Sequence, residues 1–202
     1  MKENQSLEFK ERITNTFLKT VSAYANFGDG IIQFGITDDG KVLGVEDTES
    51  TCLDIENRIN DSISPVPDYE LSVDNETNVI TLTVKEGSFK PYYYKAKAYK
   101  RNDTATIEVD RIELNHLILE GENRSYDELT AKGNEFHFSI LEQKLKEQLG
   151  VSAINSDILR TLGLLGADGK YKNAGALLAD ENSFYGIDCA RFGDSIDIGK
   201  SV

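Results

Sequence analysis

The sequence contains few of the residues that bind soft metals or form disulfides. Its 202 residues include only two cysteines, Cys52 and Cys189, which are far apart and form no CxxC motif. We therefore predict neither a structural zinc site nor a disulfide framework, and we expect both cysteines to be small buried residues. Two histidines, His116 and His137, are too few for a histidine-based metal site.

Long apolar segments are also missing. No run approaches the roughly 20 apolar residues that a membrane-spanning helix requires. Residues 1–6 are polar and lack the apolar core of a secretory signal peptide. The sequence therefore predicts a cytoplasmic protein.

Basic residues are outnumbered, with 22 Lys and Arg against 35 Asp and Glu and a net charge of −13. An acidic chain repels a polyanion overall, which is the main argument against nucleic-acid binding. Screening limits a surface charge to a reach of about 8–10 Å at physiological salt, so a local basic patch could still bind. The hydrophobic fraction of 39% and aromatic fraction of 9% indicate a folded core.

Apolar periodicity predicts an α+β fold for the first part of the chain. Helical spacing of apolar residues predicts helices over residues 13–26 and 52–63. Asp39-Gly40 is typical of a tight hairpin turn. We expect a small mixed, mainly antiparallel sheet with helices packed on it. Alternating apolar residues place its strands at 6–10, 32–36, 41–45, 69–73, 80–84, 92–100 and 104–109.

A domain boundary is predicted at residues 121–124. Before it, Asp110 and Glu113 match a capping box for a helix over 111–120. We therefore predict a first domain at 1–120 and a mostly helical segment at 121–202 that begins a further domain, as in a fragment of a longer protein.

The predicted C-terminal segment contains two helices, over residues 138–149 and 158–165, and a turn at Asp168-Gly169. The two helices could be read as a helix-turn-helix, but Arg160 is the only base in the second helix. A recognition helix offers several donors to base edges, so core packing explains the pattern better.

Three acidic residues are candidates for a catalytic metal site. Glu3 and Glu8 are five residues apart and would converge only if the chain bends just after Glu3. Asp38 follows the strand at 32–36 and could meet them if that strand pairs beside the first. Such a trio suits Mg²⁺ or Mn²⁺, and Lys10 would share the face of Glu8 and stabilise charge on a phosphate. Alternatively, Glu3 is a frayed terminal residue and Asp38 an ordinary turn residue.

Residues 85–101 form a locally basic and aromatic segment, in which six bases stand against one acid, Glu86. Positive residues beside aromatic rings are what single-stranded nucleic acid requires. The alternative is an edge strand protected by lysines, with half-buried tyrosines. The candidate nucleic-acid-binding residues are Lys90, Lys95, Lys97, Tyr99, Lys100 and Arg101.

Residues 35–41 (GITDDGK) fit the spacing of a phosphate-binding loop, but they do not form one. Val42 replaces the Ser or Thr that would bind Mg²⁺, and the two aspartates would repel phosphates. The segment also joins two predicted strands rather than a strand and a helix. We therefore predict a hairpin and no ATP site.

Four ordered blocks resemble the Schlafen AlbA-like (AlbA_2) domain, which begins bacterial proteins described as transcriptional regulators or ATP-binding proteins. The resemblance covers residues 1 to about 120, although Asp29 interrupts a pair of glycines that is adjacent in the family. The blocks are ExxxxEFK from Glu3, VSAYAN with Gly28 and Gly30, GITDDG with Gly44-Val45, and YYYK with AYKR ending at Arg101.

The resemblance implies a nucleic-acid-processing domain. In animal Schlafen proteins this fold carries an endoribonuclease site for tRNA-like RNA, whose two glutamates and aspartate fall on Glu3, Glu8 and Asp38. We predict on that basis a metal-dependent endoribonuclease that holds Mg²⁺ or Mn²⁺ through these residues. The animal enzymes combine two lobes, so this single lobe would have to form a homodimer or bind a smaller target.

The alternative is a non-catalytic DNA- or RNA-binding sensor of a bacterial transcriptional regulator with an ATPase-like partner domain. A third possibility, a protein-interaction module, would be favoured if the chain bound no nucleic acid.

Overall fold

The structure is a computed structural model that describes residues 2–133 and 135–184; Cys189 lies outside these residues. The chain divides into two compact units, Met1–Arg124 and Ser125–Val202, and each is described separately. No helix within the described ranges is long and apolar enough to cross a membrane.

The first unit contains eight strands and three helices among its described residues. In chain order they are β1 (Leu7–Lys10), α1 (Phe17–Phe27), β2 (Gly30–Phe34), α2 (Thr48–Ser62), β3 (Ile63–Ser64), β4 (Tyr69–Asp74), β5 (Val79–Val84), β6 (Tyr93–Tyr94), β7 (Tyr99–Asn102), β8 (Ala105–Glu108) and α3 (Arg111–Gly121).

A four-stranded sheet in the order β1-β2-β5-β4 organises this unit. β1 runs parallel to β2 with Glu8 opposite Ile32, whereas β2–β5 and β5–β4 are antiparallel. Two short antiparallel ladders, β3–β6 and β7–β8, complete the strand pairing in the described residues. The predicted α+β fold with a mixed, mainly antiparallel sheet is confirmed.

The core forms where α1 and α2 cover the sheet. Phe17, Val21 and Tyr24 recur at helical spacing on α1 and are almost fully buried. Phe17 packs edge-to-face on Phe34 of β2, with ring centroids 5.3 Å apart. The alternating inward residues of β2 and β5 complete this core, as expected of a sheet with one covered face.

Two local predictions were wrong. α1 begins at Phe17 rather than Ile13, because residues 14–16 form short turns in which the Thr14 and Thr16 hydroxyls bond each other. The returning strand predicted at 41–45 is reduced to one bridge between Ile36 and Val42. There the Leu43 and Gly44 N–H groups both donate to the Gly35 carbonyl, which closes a tight loop instead of a ladder.

The predicted third hairpin is also divided differently. β7 and β8 pair as expected, but β6 pairs with β3. Lys95 and Ala96 separate β6 from the approach to β7 and have φ of 51° and 61°, as in a two-residue turn with both central residues left-handed. Backbone bonds between Tyr94 and Lys97 close this turn in both directions.

The second unit is mainly helical in its described part. It contains a 3₁₀ turn at Tyr126–Glu128, α4 (Ser139–Leu149), α5 (Ser156–Thr161) and α6 (Asn173–Leu178). α4 ends at Gly150 in the left-handed region, as the sequence predicts, whereas α6 was not predicted. The boundaries predicted at 1–120 and 121–202 stay predictions.

Asn26 fastens α1 to the segment that precedes β6. It is fully buried, donates to the Tyr92 carbonyl at 2.9 Å and accepts from the Tyr92 N–H at 2.8 Å. The Ser22 hydroxyl donates to the same carbonyl at 2.6 Å. Without Asn26 the Tyr92 N–H would lose its partner in the buried interior.

We expect Asn26→Ala to lower the free energy of unfolding by about 2–3 kcal/mol, because it leaves a buried donor unsatisfied. Urea unfolding followed by circular dichroism measures the change. Asn60→Ala is the matched control, since Asn60 is exposed and accepts only the Tyr69 hydroxyl, and it should change stability by less than about 0.5 kcal/mol. Equal effects of the two substitutions would contradict this role of Asn26.

Candidate nucleic-acid interface

Glu3 and Glu8 approach each other through a tight turn. Asn4 and Leu7 exchange backbone hydrogen bonds, so the chain reverses between them. Glu3 Oε1 then accepts the N–H of Phe9 at 2.7 Å, immediately after Glu8. The N-terminal segment is therefore folded back onto β1.

The Glu8 carboxylate is buried and has several partners. It is 5% exposed, and its Oε2 accepts from Arg101 at 2.5 Å and from the Thr20 hydroxyl at 2.7 Å. Lys10 lies 2.5 Å from Oε1, which places Lys10 on the face of Glu8, as their spacing predicts. Both oxygens are therefore engaged by protein groups.

Asp38 lies on an exposed turn beyond the end of β2. Glu8 is opposite Ile32, whereas Asp38 comes four residues after the last residue of β2, Phe34. Within the described ranges no three His, Cys, Asp or Glu side chains form a group that could hold a metal ion. The structure does not gather Glu3, Glu8 and Asp38 into such a group within these ranges, and their metal-binding and catalytic roles stay predictions.

The basic segment at 85–101 is largely neutralised by acids from elsewhere in the chain. Five of its six bases form ion pairs, and Lys95 forms none with any residue in the described part of the chain. The pairs are Lys85–Asp29, Lys90 with Glu86 and Glu120, Lys97–Glu108, Lys100–Glu113 and Arg101–Glu8.

The candidate nucleic-acid-binding residues also differ in how far they are exposed to solvent. Lys90 and Arg101 are each only 8% exposed, so their charges serve the interior pairs. Tyr99 is also buried, so its ring is not accessible for the predicted stacking of bases. Lys95 and Lys97 remain exposed. The hydrogen bond to Glu108 raises the pKa of Lys97, which keeps this side chain charged.

Three exposed lysines converge on one cleft, here called the lysine cleft. It has a volume of about 430 Å³ and lies where the start of α1 meets the Lys95–Ala96 turn and β7. Lys19 lies 5.7 Å from the Tyr99 ring centroid, and Lys95 lies 5.3 Å from that of Tyr94. The described residues that line it include no acid; they are Asn15, Thr16, Lys19, Tyr94, Lys95, Lys97 and Tyr99.

The start of α1 adds to the positive character of the lysine cleft. Asn15 and Thr16 line it at the N-terminal end of the helix, and the first turn contains no acidic residue. The helix dipole places partial positive charge at this end. Asn15 is held by a 2.6 Å hydrogen bond from Arg58 of α2.

Lys19, Asn15 and Thr16 were not predicted as site residues. They lie about 70 residues before the start of the basic segment, and only the packing of α1 against β7 brings them to it. A usable signal was present, since Lys19 stands between the buried residues Leu18 and Thr20 and must reach solvent at the helix edge.

The family model described as "Schlafen, AlbA_2" matches residues 3–110, more than half of the chain. The chain belongs to the Schlafen AlbA_2 family. The match includes the N-terminal turn, Glu8 and every residue of the lysine cleft, and it confirms the resemblance noted in the sequence. The Schlafen AlbA_2 family is nucleic-acid related, which confirms that coarser part of the functional prediction.

Two solved structures are similar to the Schlafen AlbA_2 chain. The DIP2311 protein from Corynebacterium diphtheriae is 19% identical with a TM-score of 0.45, over 87% of this chain and 35% of that one. The N-terminal domain of a RecG-related protein from Nitrosomonas europaea is 19% identical with a TM-score of 0.38, over 52% of this chain and 78% of that one. The chain spans about a third of the first protein. No curated protein matches it.

We expect Glu8→Gln to lower the free energy of unfolding by about 3–5 kcal/mol, because it leaves Arg101 buried without its counter-charge. Thermal and urea unfolding measure the loss. Glu11→Gln is the control, since Glu11 is exposed and meets only the exposed Arg12 at 3.7 Å. Full stability of the Glu8 variant would show that the pair contributes nothing to the fold.

Proposed function

We propose that this Schlafen AlbA_2 domain binds single-stranded nucleic acid, with backbone phosphates in the lysine cleft. The observation that carries the proposal is the convergence of Lys19, Lys95 and Lys97 with the N-terminal end of α1 in a cleft whose described lining has no acid. Each phosphate that contacts a lysine releases counterions, which favours binding.

The charge of the whole chain is compatible with this proposal. A net charge of −13 repels a polyanion at long range, but salt screens that repulsion beyond about 8 Å. Within the cleft the nearest charges are ammonium groups, and among the described residues the one acid that pairs with them is Glu108, which contacts Lys97. We therefore expect binding of moderate affinity, which is stronger for an unpaired, accessible strand than for a structured one.

Cleavage of structured, tRNA-like RNA is the second candidate function. The turn that returns Glu3 to Phe9, next to Glu8, favours it, because two of the three predicted carboxylates come to the same end of β1. The pairing of Glu8 with Arg101 and Lys10 opposes it, because a carboxylate with these partners is not open to a metal ion. Homodimerisation to complete a two-lobed surface stays a prediction.

We expect binding of a fluorescent oligonucleotide to weaken with salt between about 50 and 200 mM, with a logarithmic slope that reports the phosphates contacted. Lys19→Ala and Lys95→Ala should each reduce the slope by about 0.7 and lower affinity about fourfold at physiological salt. Fluorescence anisotropy measures both quantities.

Lys41→Ala is the matched control, because Lys41 is an exposed lysine of the same unit that does not line the cleft. It should leave slope and affinity unchanged. Binding that is insensitive to salt, or that falls equally in all three variants, would refute the lysine cleft as the phosphate site. Absence of binding to any strand would favour a protein-interaction module.

Total tRNA incubated with the protein and Mn²⁺ or Mg²⁺ separates binding from cleavage. We expect the tRNA to stay intact, because the Glu8 oxygens are engaged by Arg101, Thr20 and Lys10. Gel electrophoresis of the RNA gives the result. Cleavage that Asp38→Asn abolishes and the neighbouring Asp39→Asn leaves intact would establish the nuclease instead.

A further inference from the structure

A second cleft, here called the tyrosine-arginine cleft, lies between the C-terminal half of α1 and β7. Its volume is about 470 Å³, and Tyr24 and Phe27 of α1 and Arg101 of β7 contribute to its lining, together with Gln5 and Ser6 of the N-terminal turn. The roles described above for the lysine cleft do not use it.

Two buried polar groups in the lining lack a hydrogen-bond partner among the described residues. They are the Tyr24 hydroxyl and Arg101 Nε. The other Arg101 nitrogens are engaged, Nη1 by Glu8 and Thr106 and Nη2 by the Asn4 carbonyl at 3.2 Å. Tyr24 is 2% exposed and Arg101 is 8% exposed. Buried polar atoms without partners are rare in folded proteins, and an ordered water or a ligand is a common explanation for them; Gln33 Oε1 is a third such atom among the described residues.

The charges around the tyrosine-arginine cleft cancel. Four charged residues line it, and each belongs to an ion pair: Asp29 with Lys85, Lys100 with Glu113, and Arg101 with Glu8. In the lysine cleft, by contrast, only Lys97 of the three lysines is paired with an acid among the described residues, Glu108, and the cleft keeps a positive charge. A neutral ligand with hydrogen-bonding edges therefore suits the second cleft better than a phosphate does.

The apolar part of the lining suits a flat ring. Phe27 is 46% exposed although it is a large aromatic residue. The Tyr24 ring itself packs on Gly30, where an added Cβ would come within 2.4 Å of it, so only glycine at this position leaves room for the tyrosine ring. Burial raises the pKa of Tyr24 well above its ordinary range, despite the opposing charge of Arg101, and the hydroxyl keeps its proton to donate.

Both clefts lie along one face of α1. Thr16 and Lys19 line the first, and Ala23 and Phe27 line the second. Successive spacings of three, four and four residues place these four side chains on the same side of a helix. β7 follows the same path, with Tyr99 in the first cleft and Arg101 in the second.

We infer that the tyrosine-arginine cleft receives one unstacked base of the strand whose phosphates occupy the lysine cleft. A base offers a flat face to Phe27, and its ring or carbonyl acceptors suit the Tyr24 hydroxyl and Arg101 Nε, which it reaches when the lining side chains shift, since both atoms have almost no accessible surface. Single-stranded nucleic acids are commonly recognised in this way, through splayed bases held by aromatic and polar side chains. The inference rests on the proposed binding function and adds base recognition to it.

The test compares two short strands of equal charge. One is a fully abasic nonanucleotide, and the other is the same strand with a single central thymine, which carries two carbonyl acceptors. The abasic strand reports phosphate binding alone. The added base should raise affinity about five- to tenfold, as expected for one stacked and hydrogen-bonded base.

Tyr24→Phe and Phe27→Ala should reduce that gain to twofold or less while leaving the affinity and salt slope of the abasic strand unchanged. Lys19→Ala should lower the affinity of both strands and keep the gain. Phe89→Ala is the aromatic control, because Phe89 is 74% exposed and lies outside the cleft lining. This variant should keep both the affinity for the abasic strand and the gain from the added base. Thermal unfolding checks the Tyr24 variant, which should be at least as stable as the native chain because it removes an unsatisfied hydroxyl.

Loss of the gain in either cleft variant supports the inference. No gain from the base in the native chain, or a gain that both variants retain in full, overturns it and leaves phosphate binding intact. Failure of both strands to bind removes the proposed function and the base site together.

Discussion

The buried ion pair between Glu8 and Arg101 joins three elements of the first unit, β1, α1 and β7. Glu8 lies in β1 and Arg101 in β7, and the two strands belong to different sheets. Thr20 of α1 donates to the same carboxylate, so the pair also fixes the helix that lies between them. Burying two charges is costly unless their geometry and further hydrogen bonds compensate. Here Thr20, Thr106 and the Asn4 carbonyl supply those bonds.

This arrangement changes how the basic segment should be understood. Counted along the sequence, it is a strongly positive stretch in an acidic protein. Counted in space, it is mostly neutral, because acids from β8, α3 and the N-terminal half of the chain pair with its bases. The positive surface that remains consists of Lys19 from a helix and Lys95 from a turn, with Lys97 beside them. Local sequence charge was therefore a poor guide to local surface charge.

Much of the fold followed from apolar periodicity. The alternation in β4 and β5, the capping box at Asp110 and the glycine that ends α4 each have a local cause, and each was predictable. The failures have non-local causes. Nothing near Tyr93 indicates that it pairs with Ser64 rather than with the strand that follows, because that choice depends on where α2 ends. The candidate site was predicted least well, because ion partners such as Glu8 and Arg101 lie 93 residues apart in the sequence.

Lys95 occupies an unusual backbone position for a residue that lines a cleft. It and Ala96 adopt left-handed backbone conformations that asparagine and glycine also tolerate, and the bonds that close the turn come from the backbone of Tyr94 and Lys97. Its side chain is exposed and has no role in the core. A change of charge at this one position therefore alters the surface potential of the lysine cleft while the scaffold stays the same.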